Sequence, residues 1–268
     1  MNYETICQEV CNIARLTGGY IRQELKGLTE DHIQLKGKRD MVTYVDKTAE
    51  IRIVDALINI IPGAGFVVEE RTVKEQNKEF TWIIDPLDGT TNYIHKIPVF
   101  SVSIALKHHE DTVIGVVYEI NSDECFYSYD GSDAFLNGEK IAVSSVHTID
   151  KALIATGFPY SGVDDFTDYL KLLTAFLENS HGVRRLGSAA VDLAYVACGR
   201  FDGFYEAGLN IWDVAAGAYI VKQAGGIVTD FSGASSFLLG KEILASNALL
   251  FPRFFSMVNS FLKTNCKR

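Results

Sequence analysis

The chain has 268 residues, 47% of them hydrophobic and 11% aromatic, which is ample material for a packed core and excludes a disordered polypeptide. Its 25 Lys and Arg against 34 Asp and Glu leave a formal charge of −9, which excludes the broad basic surface of a sequence-independent nucleic-acid binder. The length allows one large domain or two small ones sharing an interface.

The opening Met1-Asn2-Tyr3-Glu4 has no basic region or apolar run behind it, so no secretory signal is expected. Residues 3–26 repeat apolar positions at helical spacing (Ile6, Val10, Ile13, Leu16, Tyr20, Leu25), with Gly27 as a stop. Lys36-Gly37-Lys38-Arg39-Asp40 then leads into Val42-Thr43-Tyr44-Val45-Asp46, and a second helical pattern runs from about 46 to 61, ending at Pro62-Gly63. Residues 66–68 and 80–84 are continuous apolar runs that predict short buried strands. From Val99 to Val143 the chain is rich in strands and turns: Ser101 to Leu106, Thr112 to Glu119 and Cys125 to Tyr129, with Asn137-Gly138 as a hairpin signal. The adjacent His108 and His109 fall in a polar hairpin and are expected to be solvated.

Strands and helices alternate after about residue 150. Strands are expected at 152–156, 203–206, 227–230 and 243–245, and helices at 164–179, 188–198, 212–224 and 248–263. The longest apolar stretch, Val214 to Val221, is far short of the ~20 residues that cross a bilayer, so no membrane partner is expected. The five cysteines (Cys7, Cys11, Cys125, Cys198, Cys266) form no disulfide framework, which fits a cytoplasmic protein. Cys7 and Cys11, at i,i+4 with no second Cys or His pair nearby, are expected to be helix-packing residues.

The densest chemical signal is Trp82-Ile83-Ile84-Asp85-Pro86-Leu87-Asp88-Gly89-Thr90-Thr91-Asn92. An apolar strand ends there, and Asp85 and Asp88 follow across a proline that fixes φ and lacks an N–H. Gly89 permits a tight path, and Thr90-Thr91 supply hydroxyls and N–H groups where a helix could begin and receive a phosphate. Two carboxylates and a carbonyl from one stiff turn are hard oxygen ligands suited to Mg²⁺. Asp, Pro and Gly also make plain surface turns, but the length of this match and its place after a buried strand favour a site.

Asp85-Pro86-Leu87-Asp88-Gly89-Thr90-Thr91-Asn92 resembles a signature of the inositol monophosphatase family, Mg²⁺-dependent, lithium-sensitive phosphomonoesterases. Trp212-Asp213-Val214-Ala215-Ala216-Gly217 resembles its second signature, continuing to Gln223-Ala224-Gly225-Gly226. Lys36, Val68-Glu69-Glu70, Gly187-Ser188-Ala189-Ala190 and Tyr205-Glu206 fall in the family's order. The resemblance spans essentially the whole chain. It implies a layered αβαβα sandwich of the inositol monophosphatase and fructose-1,6-bisphosphatase type, an α+β fold. The chain would then be a single catalytic unit over 1–268, with an α+β half (about 1–150) and an alternating α/β half (about 151–268).

The resemblance further implies that Glu69, Asp85 and the Leu87 carbonyl hold one Mg²⁺, that Asp85, Asp88 and Asp213 hold a second, and that a weaker third sits near Glu69. Thr90, hydrogen-bonded to Asp46, would orient the attacking water, and the Gly89-Thr90 backbone would cradle the phosphate. Asp88, the Gly187-Ser188-Ala189 segment and Glu206 would hold the hydroxyls of a polyol. Glu69, Asp85, Asp88 and Asp213 supply the four negative charges that two dications need, and without metal their crowding should raise carboxylate pKa values.

Each residue also has a plainer reading. Asp46 suits an N-cap, Glu69-Glu70 a solvated strand end, Asp213 a helix dipole partner and Lys36 a solvated loop. The implied activity is release of inositol from inositol 1-phosphate, and the resemblance implies a homodimer. Two alternatives stay open: a preference for fructose 1,6-bisphosphate or a 3′-phosphoadenosine nucleotide, and a protein-binding regulatory role in transcription or translation complexes. No direct contact with nucleic acid is expected.

Overall fold

The computed structural model describes residues 1–29, 33–35, 41–158 and 166–262. Lys36 and Cys266 lie outside those residues. In chain order the first half comprises α1 (Tyr3–Glu24), β1 (Ile33–Leu35), β2 (Met41–Thr43), α2 (Tyr44–Ile60), β3 (Gly65–Val68), β4 (Phe80–Asp88), α3 (Thr90–Ile94), β5 (Ser101–His108), β6 (Asp111–Glu119), β7 (Glu124–Tyr129), β8 (Ala134–Leu136) and β9 (Glu139–Ile141). The second comprises β10 (Leu153–Thr156), α4 (Thr167–Asn179), β11 (Gly182–Arg184), α5 (Ala189–Ala197), β12 (Gly203–Ala207), α6 (Ile211–Gln223), β13 (Gly226–Thr229), α7 (Phe237–Gly240), β14 (Glu242–Asn247) and α8 (Phe251–Phe261).

Two sheets organise the molecule. A seven-stranded sheet has the order β3-β4-β5-β6-β7-β8-β9, antiparallel except where β3 joins β4 in parallel. A five-stranded mixed sheet has the order β11-β10-β12-β14-β13. The helices α1 and α2 cover the outer face of the first sheet, α5 and α6 lie between the sheets, and α4 and α8 cover the second. This is the expected αβαβα sandwich.

Composition explains which helix takes which layer. α1 buries one stripe (Cys7, Val10, Cys11, Ala14, Ile21) and turns its polar side to water, as an outer helix must. Cys7 and Cys11 are therefore the packing residues they were expected to be. By contrast α6 is buried from Val214 through Val221 and α5 is buried at every residue but Tyr195. A helix apolar all round belongs where sheets cover both of its sides, and Ala-rich sequence lets those sheets approach closely. Among the described residues no helix is long and apolar enough to cross a membrane.

Three departures bear on the site. α2 begins at Tyr44, not near 46, because Thr43 caps it: Asp46 sits at the third helical position and completes a capping box. β4 runs past Ile84 to Asp88, with a bulge between Asp85 and Asp88 where Pro86 could not have donated to a ladder. The short edge strand β11, not foreseen from its polar sequence, delivers Arg185 towards the site.

Candidate active site

The C-terminal ends of β3, β4 and β12 and the first turns of α3, α5 and α6 converge at one edge of the sandwich, around a cavity of ≈ 250 Å³. Every residue predicted from sequence for the site lines it except Asp46, which stands behind Thr90: Glu69, Asp85, Leu87, Asp88, Gly89, Thr90, Gly187, Ser188, Ala189, Glu206 and Asp213. These come from six elements scattered over the chain. Gathering them is the work of the tertiary fold.

The bulge in β4 sets the centre. Asp85 is buried, and its Oδ1 accepts from the Leu87 N–H at 2.9 Å, which fixes the turn that aims both groups into the cavity. Gly89 has φ 96°, and a Cβ there would lie 3.1 Å from the Val99 carbonyl and 3.2 Å from that of Gly187. A side chain is therefore excluded both by dihedral and by space. Asn92 ties this segment to the next, its amide donating to Val99 O at 2.7 Å and Leu186 O at 2.8 Å.

Thr90 Oγ1 lies 2.9 Å from Asp46 Oδ1 and 3.0 Å from the Leu87 carbonyl. Asp46 Oδ2 meanwhile accepts from Thr43 N at 2.9 Å and Thr43 Oγ1 at 2.6 Å. One carboxylate thus serves the helix cap with one oxygen and the site threonine with the other, so the two readings of Asp46 are compatible. Burial pushes its pKa up, and the Thr43 and Thr90 hydrogen bonds oppose that rise.

Asp88 Oδ2 accepts from Ser188 Oγ at 2.6 Å and from the Ala190 N–H at 2.8 Å, so it docks on the first turn of α5 and joins the two halves of the sequence. Asp213 stands at the third position of α6, where its Oδ2 accepts from Asn210 N at 2.6 Å. Glu69 directly follows β3. Behind it the fully buried Glu50 of α2 accepts from Glu70 N at 2.6 Å, Thr72 N at 2.8 Å and Thr72 Oγ1 at 2.7 Å. Sequence reading missed Glu50, which looks like any polar residue on an exposed helix. Its burial becomes visible only once the loop after β3 is placed.

The electrostatics follow from this crowding. Asp85 is raised well above the usual carboxylate range, first by burial and then by Glu69, Asp88 and Asp213. Burial pushes Asp88 up to about 6 against the pull of Ser188, and pushes Asp213 up to about 7 with help from Asp88. Glu206 reaches about 8, again through burial, with Arg185 opposing. It is seated close under Gly157, where any Cβ would overlap its carboxylate. Arg185 is the one cation lining the cavity among the described residues, and the sequence reading did not include it. All-oxygen donors that repel one another this strongly fit hard divalent cations, Mg²⁺ above all. His95 is exposed outside the cavity.

Known proteins resemble this chain over nearly its whole length. The family model described as the inositol monophosphatase family matches residues 2–260. The chain is 39% identical over 260 residues to a Pseudomonas aeruginosa protein called Nus factor SuhB, covering 95% of this chain and 96% of that one. It is 42% identical over 219 residues to an inositol-1-monophosphatase of Mesorhizobium japonicum, covering 81% and 82% of the two chains. Among solved structures, the extragenic suppressor protein suhB of Bartonella henselae superposes with a TM-score of 0.89 at 36% identity, over 96% of this chain and 100% of that chain. The inositol monophosphatase of Anabaena does so with 0.86 at 32% identity, over 98% of each.

Proposed function

Because this chain belongs to the inositol monophosphatase family, we propose that it is a Mg²⁺-dependent phosphatase that hydrolyses inositol 1-phosphate, or a close polyol monophosphate, by direct attack of water. The observation that carries the reading is the convergence of Glu69, Asp85, Asp88 and Asp213 beside the Gly89-Thr90 turn. Glu69, Asp85 and the Leu87 carbonyl would hold one cation, Asp85, Asp88 and Asp213 a second, and Glu69 would help hold a weaker third. Bound there, the cations would activate water and offset charge on the departing oxygen.

The protein's own groups do the rest. Thr90, anchored by Asp46, presents its hydroxyl oxygen to accept a proton of the attacking water and so to orient its lone pair towards phosphorus. The first-turn N–H groups of Gly89 and Thr90, which have no acceptor within their own helix, receive the phosphate oxygens. Water attacks phosphorus, the bond from phosphorus to the alcohol oxygen breaks, and that oxygen takes up a proton. Glu206, Asp88 and the Gly187-Ser188-Ala189 segment bind the hydroxyls of the polyol, while Arg185 balances the carboxylates around them. The reading includes one catalytic unit per chain, in a cytoplasmic homodimer.

A phosphate-release panel tests this: inositol 1-phosphate, fructose 1,6-bisphosphate and a 3′-phosphoadenosine nucleotide, each with Mg²⁺, with chelator and with added lithium. The expected result is Mg²⁺-dependent, lithium-inhibited release that is fastest from inositol 1-phosphate. Undiminished turnover in chelator would overturn it. A second reading, a protein-binding regulatory role, is favoured by the name Nus factor that relatives from Pseudomonas aeruginosa and Escherichia coli carry. The net charge of −9 favours a protein over RNA as the direct contact in that case. It would gain if the chain released no phosphate from the panel yet bound a purified transcription factor stably.

A further inference from the structure

At the opposite end of β4, Glu79 immediately precedes the strand, while His108 closes β5 and His109 begins the turn into β6. The antiparallel register pairs Phe80 with His108, which sets the residue before one beside the residue after the other. The His109 N–H donates to the Glu79 carbonyl at 2.7 Å and locks that arrangement. One ligand atom from each of Glu79, His108 and His109 lies within 4.8 Å of the other two. His109 is exposed and His108 half-buried, in keeping with the solvated pair expected from sequence; their approach to Glu79 is what the sequence reading did not include.

The rings are held in place. Phe80 stacks on His108 with centroids 4.4 Å apart and planes inclined by 7°, and His109 stacks on His108 at 4.7 Å and 27°. Tyr3 Oη, from the first residue of α1, is 3.4 Å from His108 Nδ1, leaving Nε2 directed at Glu79 Oε1, 3.5 Å away. Two tetrahedral metal bonds of 2.0–2.1 Å place their ligand atoms about 3.4 Å apart, so this spacing already matches a shared ion. With Nε2 as ligand, Nδ1 carries the proton and donates to Tyr3, the outer hydrogen bond that metal-bound imidazoles commonly make.

We propose that Glu79, His108 and His109 form a second metal site, selective for a borderline divalent cation of the Zn²⁺ type and separate from the carboxylate cavity. Two imidazoles and one carboxylate make a three-ligand set with room for water as the fourth, whereas Mg²⁺ favours oxygen throughout. Six residues of extended chain, from Glu79 to Asp85, put the two sites about 20 Å apart. A cation here would pin the start of β4, the end of β5 and, through Tyr3, the beginning of α1.

The experiment is a Zn²⁺ titration of untagged protein in excess Mg²⁺, read by competition with a chromophoric chelator and by thermal melting. The expected result is one Zn²⁺ per chain that survives the Mg²⁺ and raises the Tm. His108→Ala and His109→Asn should each weaken it at least about tenfold, and Tyr3→Phe about tenfold, as loss of an outer-shell partner does. The Asp213→Asn variant should retain it. His109 has φ 54°, a conformation Asn adopts readily, so that variant keeps the test sound should His108→Ala not fold. No Zn²⁺ uptake at about micromolar free ion, or uptake that both histidine variants retain, would overturn the proposal.

Discussion

Asp213 shows how one residue serves two demands. As the third residue of α6 it accepts from the Asn210 backbone and completes a capping box, which any helix start welcomes. As a carboxylate raised to about 7 by burial and by Asp88, it is costly to ionise without a counter-charge. Asn at that position keeps a capping oxygen and removes the charge. Asp213→Asn should therefore lower kcat by roughly a thousandfold, the effect of losing several kcal/mol of charge stabilisation, while the metal-free variant melts no lower than wild type at pH 8. Steady-state kinetics and calorimetry check both. Normal turnover would remove Asp213 from the metal assignment.

At the scale of elements, the decisive feature is that the site sits on segment ends, each anchored by a different device. A bulge and Pro86 hold the Asp85 end of β4, the first turn of α5 holds Asp88, and Glu50 of α2 holds the loop carrying Glu69. Glu50→Gln should be informative because it keeps the shape of the side chain while turning one acceptor into a donor facing the Glu70 and Thr72 N–H groups. Mg²⁺ should bind about 10–100-fold more weakly, as when other outer-shell partners are lost. At saturating Mg²⁺ kcat should largely recover, which separates positioning from chemistry. An unchanged Mg²⁺ dependence would show that the loop holds Glu69 without Glu50.

For the whole molecule, the raised carboxylates couple folding to pH. Asp88, Asp213 and Glu206 stand at about 6, 7 and 8, against 3.8 for an ordinary Asp and 4.5 for Glu. In the window between the ordinary and raised values the folded protein holds more protons than the unfolded chain, so stability falls as pH rises. The contribution is complete below about pH 4 and is lost by about pH 8. The metal-free protein should thus melt at lower temperature at pH 8 than at pH 5.5, and Asp213→Asn should shrink the difference. Mg²⁺ should raise the Tm more at pH 8, where it need not displace protons. Equal Mg²⁺-induced shifts at the two pH values would contradict this.

How much of this was legible in sequence depended on chain distance. Asp85, Leu87, Asp88, Gly89 and Thr90 are contiguous, and a stiff turn after a buried strand announces itself locally. Glu69 and Asp213 each have an ordinary local reading, and they, like Glu206, were singled out only by their order within a resemblance. Glu50 and Arg185 gave no signal: one looks like helix surface and the other lies beyond a polar edge strand. The pairing of the solvated His108 and His109 with Glu79 gave no local signal, because Glu79 is remote in sequence and reaches them only through the β4–β5 register.

The apolar periodicities thus determined, by themselves, which segments become the long helices and the core strands, and the Ala-rich runs of α5 and α6 suit the central layer that the structure gives them. Their burial demand is written into composition. Only the tertiary structure decided which carboxylates meet, because electrostatic repulsion and desolvation depend on distances through space. Packing set those distances, holding four acids from three elements together.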